Sequence, residues 1–145
     1  MGTRAQIKVE GSAVIFYKHS DGYPSQVLNV LLPLVAEFHK LRGHDDCYLP
    51  AHICHAFFAA DRKRMAEDDW YKANPGMVES IKFLGYGLDC ERHGDTAFLY
   101  TVMVDGSVKV EAVGEGRPRL LGTFELGTDP KKAIAKCDGK KSKVA

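Results

Sequence analysis

Arg4-Ala5-Gln6-Ile7-Lys8-Val9-Glu10-Gly11-Ser12-Ala13-Val14-Ile15-Phe16-Tyr17-Lys18-His19 opens the chain with two runs separated by a turn. Residues 5, 7 and 9 are apolar and 4, 6, 8 and 10 are polar, the period-2 pattern of a half-buried strand. Gly11-Ser12 reads as a two-residue loop with glycine at the first central position. Residues 13–19 then read as the returning strand. With this turn Val9 faces Val14 and Ile7 faces Phe16, so turn and alternation agree on one register. The other face carries Gln6, Lys8, Ile15, Tyr17 and His19.

Beyond the hairpin, Asp21-Gly22-Tyr23-Pro24-Ser25 marks a turn and a helix start. A helix runs to about Arg42 on the stripe Val27, Leu28, Leu31, Leu34, Val35, Phe38 and Leu41. Pro33 is expected to kink or restart it, and Gly43 to stop it. A loop over 44–49 leads to a second helix from Pro50, buried through Ile53, Cys54, Phe57, Phe58 and Met65, with Asp61, Arg62, Lys63, Arg64, Glu67 and Asp68 in solvent. Residues 77–82 read as a short helix or turn. From Leu84 the period returns to two. Thr96 to Val104 is the most apolar strand, and Asp105-Gly106 signals a hairpin with 107–113. In that register Leu99 pairs with Ala112, Thr101 with Val110 and Met103 with Val108. Leu120 to Leu126 offers one further strand.

The order β-β-α-α-β-β-β, with hairpin-joined strands and consecutive helices, predicts an α+β two-layer sandwich. It consists of an antiparallel sheet of about five strands with two helices on one face. Residues 1–128 are expected to form one globular domain. Residues 129–145 hold six lysines against Asp129 and Asp138, a net +4, which leaves −3 on the body. That segment has few large apolar residues and is expected to be a disordered tail.

The chain has 145 residues with a formal charge of +1, 45% hydrophobic and 27% charged. This balance excludes a collagen-like chain, a disordered chain and a disulfide scaffold. The longest apolar run, Val30 to Ala36, is far short of the ~18 residues of a membrane helix. Met1 to Ala5 lacks the apolar core of a signal peptide, so a cytoplasmic location is expected. Cys47, Cys54, Cys90 and Cys137 form no C-x-x-C pair. They read as reduced thiols, with Cys54 and Cys90 buried.

Thr3-Arg4-Ala5-x-Ile7, the strand ending Tyr17-x-His19 and Asp21-Gly22-Tyr23-Pro24, together with the Tyr100 strand and its hairpin, resemble a family of small bacterial and phage proteins over residues 3–113. The chain departs from that pattern at Ser20, where an aromatic residue is usual. The resemblance implies a small accessory protein of a phage or mobile element and no particular reaction.

Three constellations carry candidate chemistry. Tyr17, His19, Asp21 and Tyr23 combine an imidazole, a carboxylate and two phenols at a helix start and form the candidate binding site. The 39–55 region is rich in His and Cys, and His44, Cys47, His52 and His55 are its candidate zinc ligands. The sheet face away from the helices, with Ile15, Tyr17 and, in one register, Phe98, Tyr100 and Val102, is the candidate homodimer surface. Phosphate-loop, dinucleotide and nucleophile-elbow motifs are missing from the sequence. The chain is therefore read as a small non-enzymatic binding protein without cofactor or metal. It is expected to be a homodimer with a further protein partner and no membrane association, and an anti-defence role is one version. One alternative is a zinc-dependent hydrolase or nuclease using residues 44–55. Another is a nucleic-acid accessory protein using the basic tail, a weak signal given the acidic body.

Overall fold

A computed structural model describes residues 2–114 and 117–142, without the side chains of 140–142. The described elements are β1 (Ala5–Val9), β2 (Ile15–Lys18), α1 (Pro24–Arg42), α2 (Tyr48–Glu67), α3 (Asp69–Ala73), α4 (Pro75–Leu84), β3 (Tyr86–Asp89), β4 (Phe98–Val102), β5 (Val108–Ala112), β6 (Arg119–Phe124) and α5 (Pro130–Ser142). The fold is α+β, as the order of elements predicts, and its sheet is mixed, with six strands in the order β3-β2-β1-β4-β5-β6.

The β1–β2 hairpin has the expected register, with Ile7 opposite Phe16 and Ala5 opposite Lys18. Its turn lies one residue earlier than expected. Ser12 N–H donates to the Val9 carbonyl at 2.9 Å, and Gly11 takes φ +90°, which favours glycine.

The wholly antiparallel sheet is corrected, because β1 pairs with β4 in parallel. Alternation along a strand specifies its faces and says nothing of its neighbours. β3 returns beside β2 at one edge. The chain then crosses β2 and β1 to reach the far side of β1, a step that hairpin logic does not anticipate.

The β4–β5 hairpin is slipped by one residue from the expected register. Tyr100 stands opposite Val110 and Val102 opposite Val108. The Asp105-Gly106 loop is wider than two residues. Gly106 N–H donates to the Met103 carbonyl at 2.9 Å, and Met103 N–H to the Ser107 carbonyl at 2.8 Å, with Gly106 at φ +86°. One added loop residue turns every side chain over. Phe98, Tyr100 and Val102 consequently join the core cluster with Ile7, Phe16, Leu28, Leu31 and Phe57. Tyr100 is fully buried and its hydroxyl donates to the Gly22 carbonyl at 2.7 Å. Gly22 itself admits no side chain, since a Cβ there would lie 2.6 Å from that of Ala5.

α1 follows its predicted stripe except at Leu41, which is exposed. Pro33 neither ends nor restarts the helix. It lies on the exposed side with Asn29, where the carbonyl deprived of its donor faces water. Between the hairpin and β3 there are four helices rather than two, because α2 is followed by α3 and α4. Cys90 is exposed and Cys54 half-buried, while Cys137, expected in a disordered tail, is buried.

The disordered tail is corrected as well. Pro130–Ser142 is helical and packs on α1 and β6, while 143–145 lie outside the described residues. Ala133 and Cys137, four residues apart on one face, are buried at 1% and 0% exposure. Small side chains let the helix approach closely, so it needs few large apolar residues. Lys131, Lys132 and Lys136 face solvent.

Truncation after Thr128 is therefore expected to uncover Tyr100, Leu121 and Phe124 and to destabilise the protein by about 2–5 kcal/mol. Urea unfolding of the shortened and full chains measures the difference. Equal midpoints would mean that α5 contributes nothing to the core.

Candidate functional site

The expected binding residues fall into two groups on opposite sides of β2. Tyr17 and His19 lie on the face away from the helices, with the Tyr17 hydroxyl 2.9 Å from His19 Nδ1. Asp21 and Tyr23 lie on the helix side. Tyr23 donates to Asp21 Oδ1 at 3.0 Å and Arg64 of α2 donates to Asp21 Oδ2 at 2.7 Å. Asp21 takes φ +56°, a left-handed conformation that this pairing helps to hold. Burial and the hydrogen bond to Asp21 raise the pKa of Tyr23. The chain leaves the strand after Lys18, and the turn at Asp21, with its positive φ, breaks the alternation and carries Asp21 and Tyr23 to the helix side, where Lys18 also points.

On the helix side the hub is Asp61. Lys18 Nζ lies 2.8 Å from its Oδ2, and the Tyr86 hydroxyl of β3 donates to the same oxygen. Both Lys18 and Asp61 are buried, at 2% and 7% exposure. The ammonium group also lies 5.2 Å from the Phe57 ring and 5.5 Å from that of Tyr86. Burial and the hydrogen bond to Asp61 push the Tyr86 hydroxyl well above the usual phenol range. Asp61 belongs to the row Ile53, Phe57, Asp61, Met65, all of them buried. A lysine at an inward strand position is the sequence signal for a carboxylate on that row.

On the opposite face the crossover from β3 to β4 lies over the sheet. Gln6, fully buried, donates to Asp89 Oδ2 and to the Glu91 carbonyl, each at 3.0 Å, and accepts from His93 N–H at 3.0 Å. His93 Nε2 lies 3.0 Å from Asp89 Oδ1, and its ring is 4.8 Å from that of Tyr17. Arg4 pairs with Asp95. Burial and the Asp95 carboxylate raise the pKa of Tyr17. Both ring nitrogens of His93 face carboxylates, with Nδ1 3.5 Å from Asp95, which makes the imidazole a clamp for the crossover. Gln6, Asp89 and His93 were absent from the expected site, because no local spacing joins residues more than 80 positions apart.

The apolar open face expected to support a homodimer is corrected. Phe98, Tyr100 and Val102 point toward the helices, and on the other face Ile15 and Leu99 are only 5% and 6% exposed, which leaves Leu120 of the edge strand β6 as an isolated exposed apolar side chain.

The candidate zinc ligands do not converge. His44 Nε2 lies 2.7 Å from the Glu10 carbonyl, Cys47 is exposed at the start of α2, the His52 ring packs on Phe38 at 5.6 Å, and His55 is exposed. Among the described residues no group of three or more His, Cys, Asp or Glu side chains is placed to hold a metal ion. Among them, too, no helix is long and apolar enough to cross a membrane.

The two polar networks share β3. Tyr86 ties it to α2 and Asp89 ties it to β1, so this four-residue edge strand is fastened on both faces. Its outer side is open, and no strand lies beyond it among the described residues. His19 N–H donates to the Gly85 carbonyl at 2.8 Å, which sets the alternation of the β2–β3 ladder. Tyr17 with Gly87 and Ile15 with Asp89 are the bonded pairs. The backbone groups of Tyr86 and Leu88 consequently point outward, away from β2. The other edge, β6, carries a register shift against β5 and is packed by α5, devices that blunt edges. Beside β3 lies an apolar cleft of about 420 Å³, lined by Val14, Cys47, Pro50, Ala51, Cys54 and Leu88 among others. Burial raises the pKa of the Cys54 thiol, which leaves it a small apolar group here.

Compared with protein-family models, with curated proteins and with solved structures, the chain gives no match to any of the three.

Replacing Asp61 by Ala is expected to leave the Lys18 ammonium buried without a counter-charge and to cost about 3–5 kcal/mol. The double variant Lys18→Met, Asp61→Leu is expected to recover most of that loss. Denaturant unfolding of the three proteins checks this. A double variant no more stable than Asp61→Ala would refute the ion-pair account.

Proposed function

We propose that this protein is a non-enzymatic interaction protein that takes up an extended polypeptide segment as an added strand on the free edge of β3. The carrying observation is the combination at that strand. Backbone donors and acceptors of Tyr86 and Leu88 face outward, the Leu88 side chain is 64% exposed, and the apolar cleft begins at that side chain. An added strand gains main-chain hydrogen bonds from the edge and specificity from pockets for alternate side chains. The two polar networks hold the edge in place before a partner arrives, which lowers the ordering cost of binding.

In this reading Tyr17, His19, Asp21 and Tyr23 act on the partner through β3. They fasten the strand on its two faces instead of touching the ligand. The setting suggested by the T-R-A-x-I and D-G-Y-P resemblance, an accessory protein of a phage or mobile element, suits a recognition module of this size.

Fluorescently labelled ten-residue peptides with strictly alternating apolar residues test the proposal. They are expected to bind more tightly than peptides of the same composition in scrambled order, and Leu88→Lys is expected to weaken binding about tenfold, or ~1.4 kcal/mol. Equal binding of alternating and scrambled peptides, or undiminished binding to Leu88→Lys, would contradict it.

A further inference from the structure

We infer that the strand which occupies β3 is β3 of a second copy of this chain, paired antiparallel across a two-fold axis at Gly87. The inference rests on the edge-recognition reading above and names its partner.

The first support is self-complementarity. The outward-bonding residues, Tyr86 and Leu88, lie symmetrically about Gly87. In an antiparallel pair of identical strands centred there, Tyr86 faces Leu88 of the other copy and Gly87 faces its own equivalent. Each Tyr86–Leu88 match is a bonded pair that exchanges both main-chain hydrogen bonds, four bonds in all. No charged residue meets its own copy among these positions, and β3 lacks the lysine or proline that guards many edges.

The second support is the glycine. Gly87 has no positive φ, and a Cβ there would make only an ordinary contact, 3.7 Å from Tyr17 Cδ2. Nothing within the chain calls for glycine at that position, and glycine weakens a strand interior. Close approach of another backbone supplies the missing reason, and on the proposed axis the two Gly87 residues form the closest, non-bonded pair.

The third support is the apolar surface around the strand. Leu88 lies on the helix side of β3, opposite Phe16. Phe58, whose ring sits 4.6 Å from that of Tyr86, is 40% exposed. Phe83 and Leu84, at the end of α4 just ahead of β3, are 72% and 74% exposed. In the symmetric pair, Leu88 of one copy lies against Tyr86 and Phe58 of the other. Such a patch is at the small end of specific interfaces, which bury roughly 1,000 Å² or more. The pair is therefore one that dissociates on dilution. Each sheet of six strands continues into its partner, giving twelve.

Two measurements test the inference. Sedimentation equilibrium from about 1 to about 300 µM is expected to show the mass rising from the chain value of 16.0 kDa toward twice that, in the range where such small interfaces form. Leu88→Lys is expected to stay monomeric with an unchanged circular dichroism spectrum. In a Cys47→Ser, Cys90→Ser background, Gly87→Cys is expected to form an intermolecular disulfide at least about tenfold faster than Leu88→Cys. The axis places the two 87 positions within disulfide reach and the two 88 positions about 8 Å apart. A chain that stays monomeric throughout while alternating peptides still bind overturns the self-pairing and leaves the edge-recognition reading intact. A monomer that also fails to bind those peptides overturns both. A dimer that persists in Leu88→Lys, or that does not cross-link through residue 87, overturns the proposed axis.

Discussion

Lys18 carries its ammonium group into the layer between the sheet and α2, and the Asp61 carboxylate meets it there at 2.8 Å. Removing two charges from water costs several kcal/mol per ion, and their attraction offsets this only with good geometry and further hydrogen bonds. The site supplies both. The Tyr86 hydroxyl donates to Asp61, Arg64 approaches its other oxygen at 3.6 Å, and two aromatic rings lie beside the ammonium. The pair therefore sets the position of β2 on α2. Through Tyr86 it also sets β3, and through Arg64 it reaches the Asp21 turn where α1 begins. Replacing it with apolar groups of similar volume would preserve the core, but would lose the hydrogen bond that aims Tyr86 and the edge strand with it.

The opposite face answers with neutral and charged hydrogen bonds around Gln6. A fully buried amide in the middle of a strand needs partners for both its ends. Asp89, Glu91 and His93 provide them, all from β3 or the crossover that leaves it. This crossover is what makes the sheet mixed, because it carries the chain over β2 and β1 to the far side of β1. It also covers the face that an antiparallel sheet would have left open. The covering of that face and the exposure of the β3 edge have one cause. The chain leaves β3 across the sheet instead of continuing beside it.

The residues show which parts of this were legible in the sequence. The register of β1 on β2 was, because the period-2 patterns of the two runs specify the pairing, although the turn between them closes one residue earlier than Gly11-Ser12 suggests. The stripe of α1 was, because seven apolar positions recur at helical spacing. The parallel pairing of β1 with β4 was not, since alternation describes faces and not neighbours. The slipped β4–β5 register followed from reading Asp105-Gly106 as a two-residue loop, when Gly106 ends a longer one. α5 was missed because it packs through Ala133 and Cys137, small side chains with little hydrophobic signal. In the site, Tyr17, His19, Asp21 and Tyr23 were legible as one cluster of polar side chains, but their separation into two pairs on two faces was not. Their partners Arg64 and His93 lie more than forty residues away. Lys18, at an inward position of an otherwise apolar series, was the readable clue to that buried network.

β3 can take up a strand only if it is firmly paired on one side and open on the other. Backbone amide exchange resolved by residue, at low micromolar concentration where any self-association is reversed, measures this directly. The ladder predicts slow exchange at Gly87 and Asp89, whose N–H groups bond to β2, and fast exchange at Tyr86 and Leu88. Protection of Tyr86 and Leu88 in the dilute chain would show that the edge is already occupied, and fast exchange at all four would show that the strand is not held. Either pattern would contradict the account.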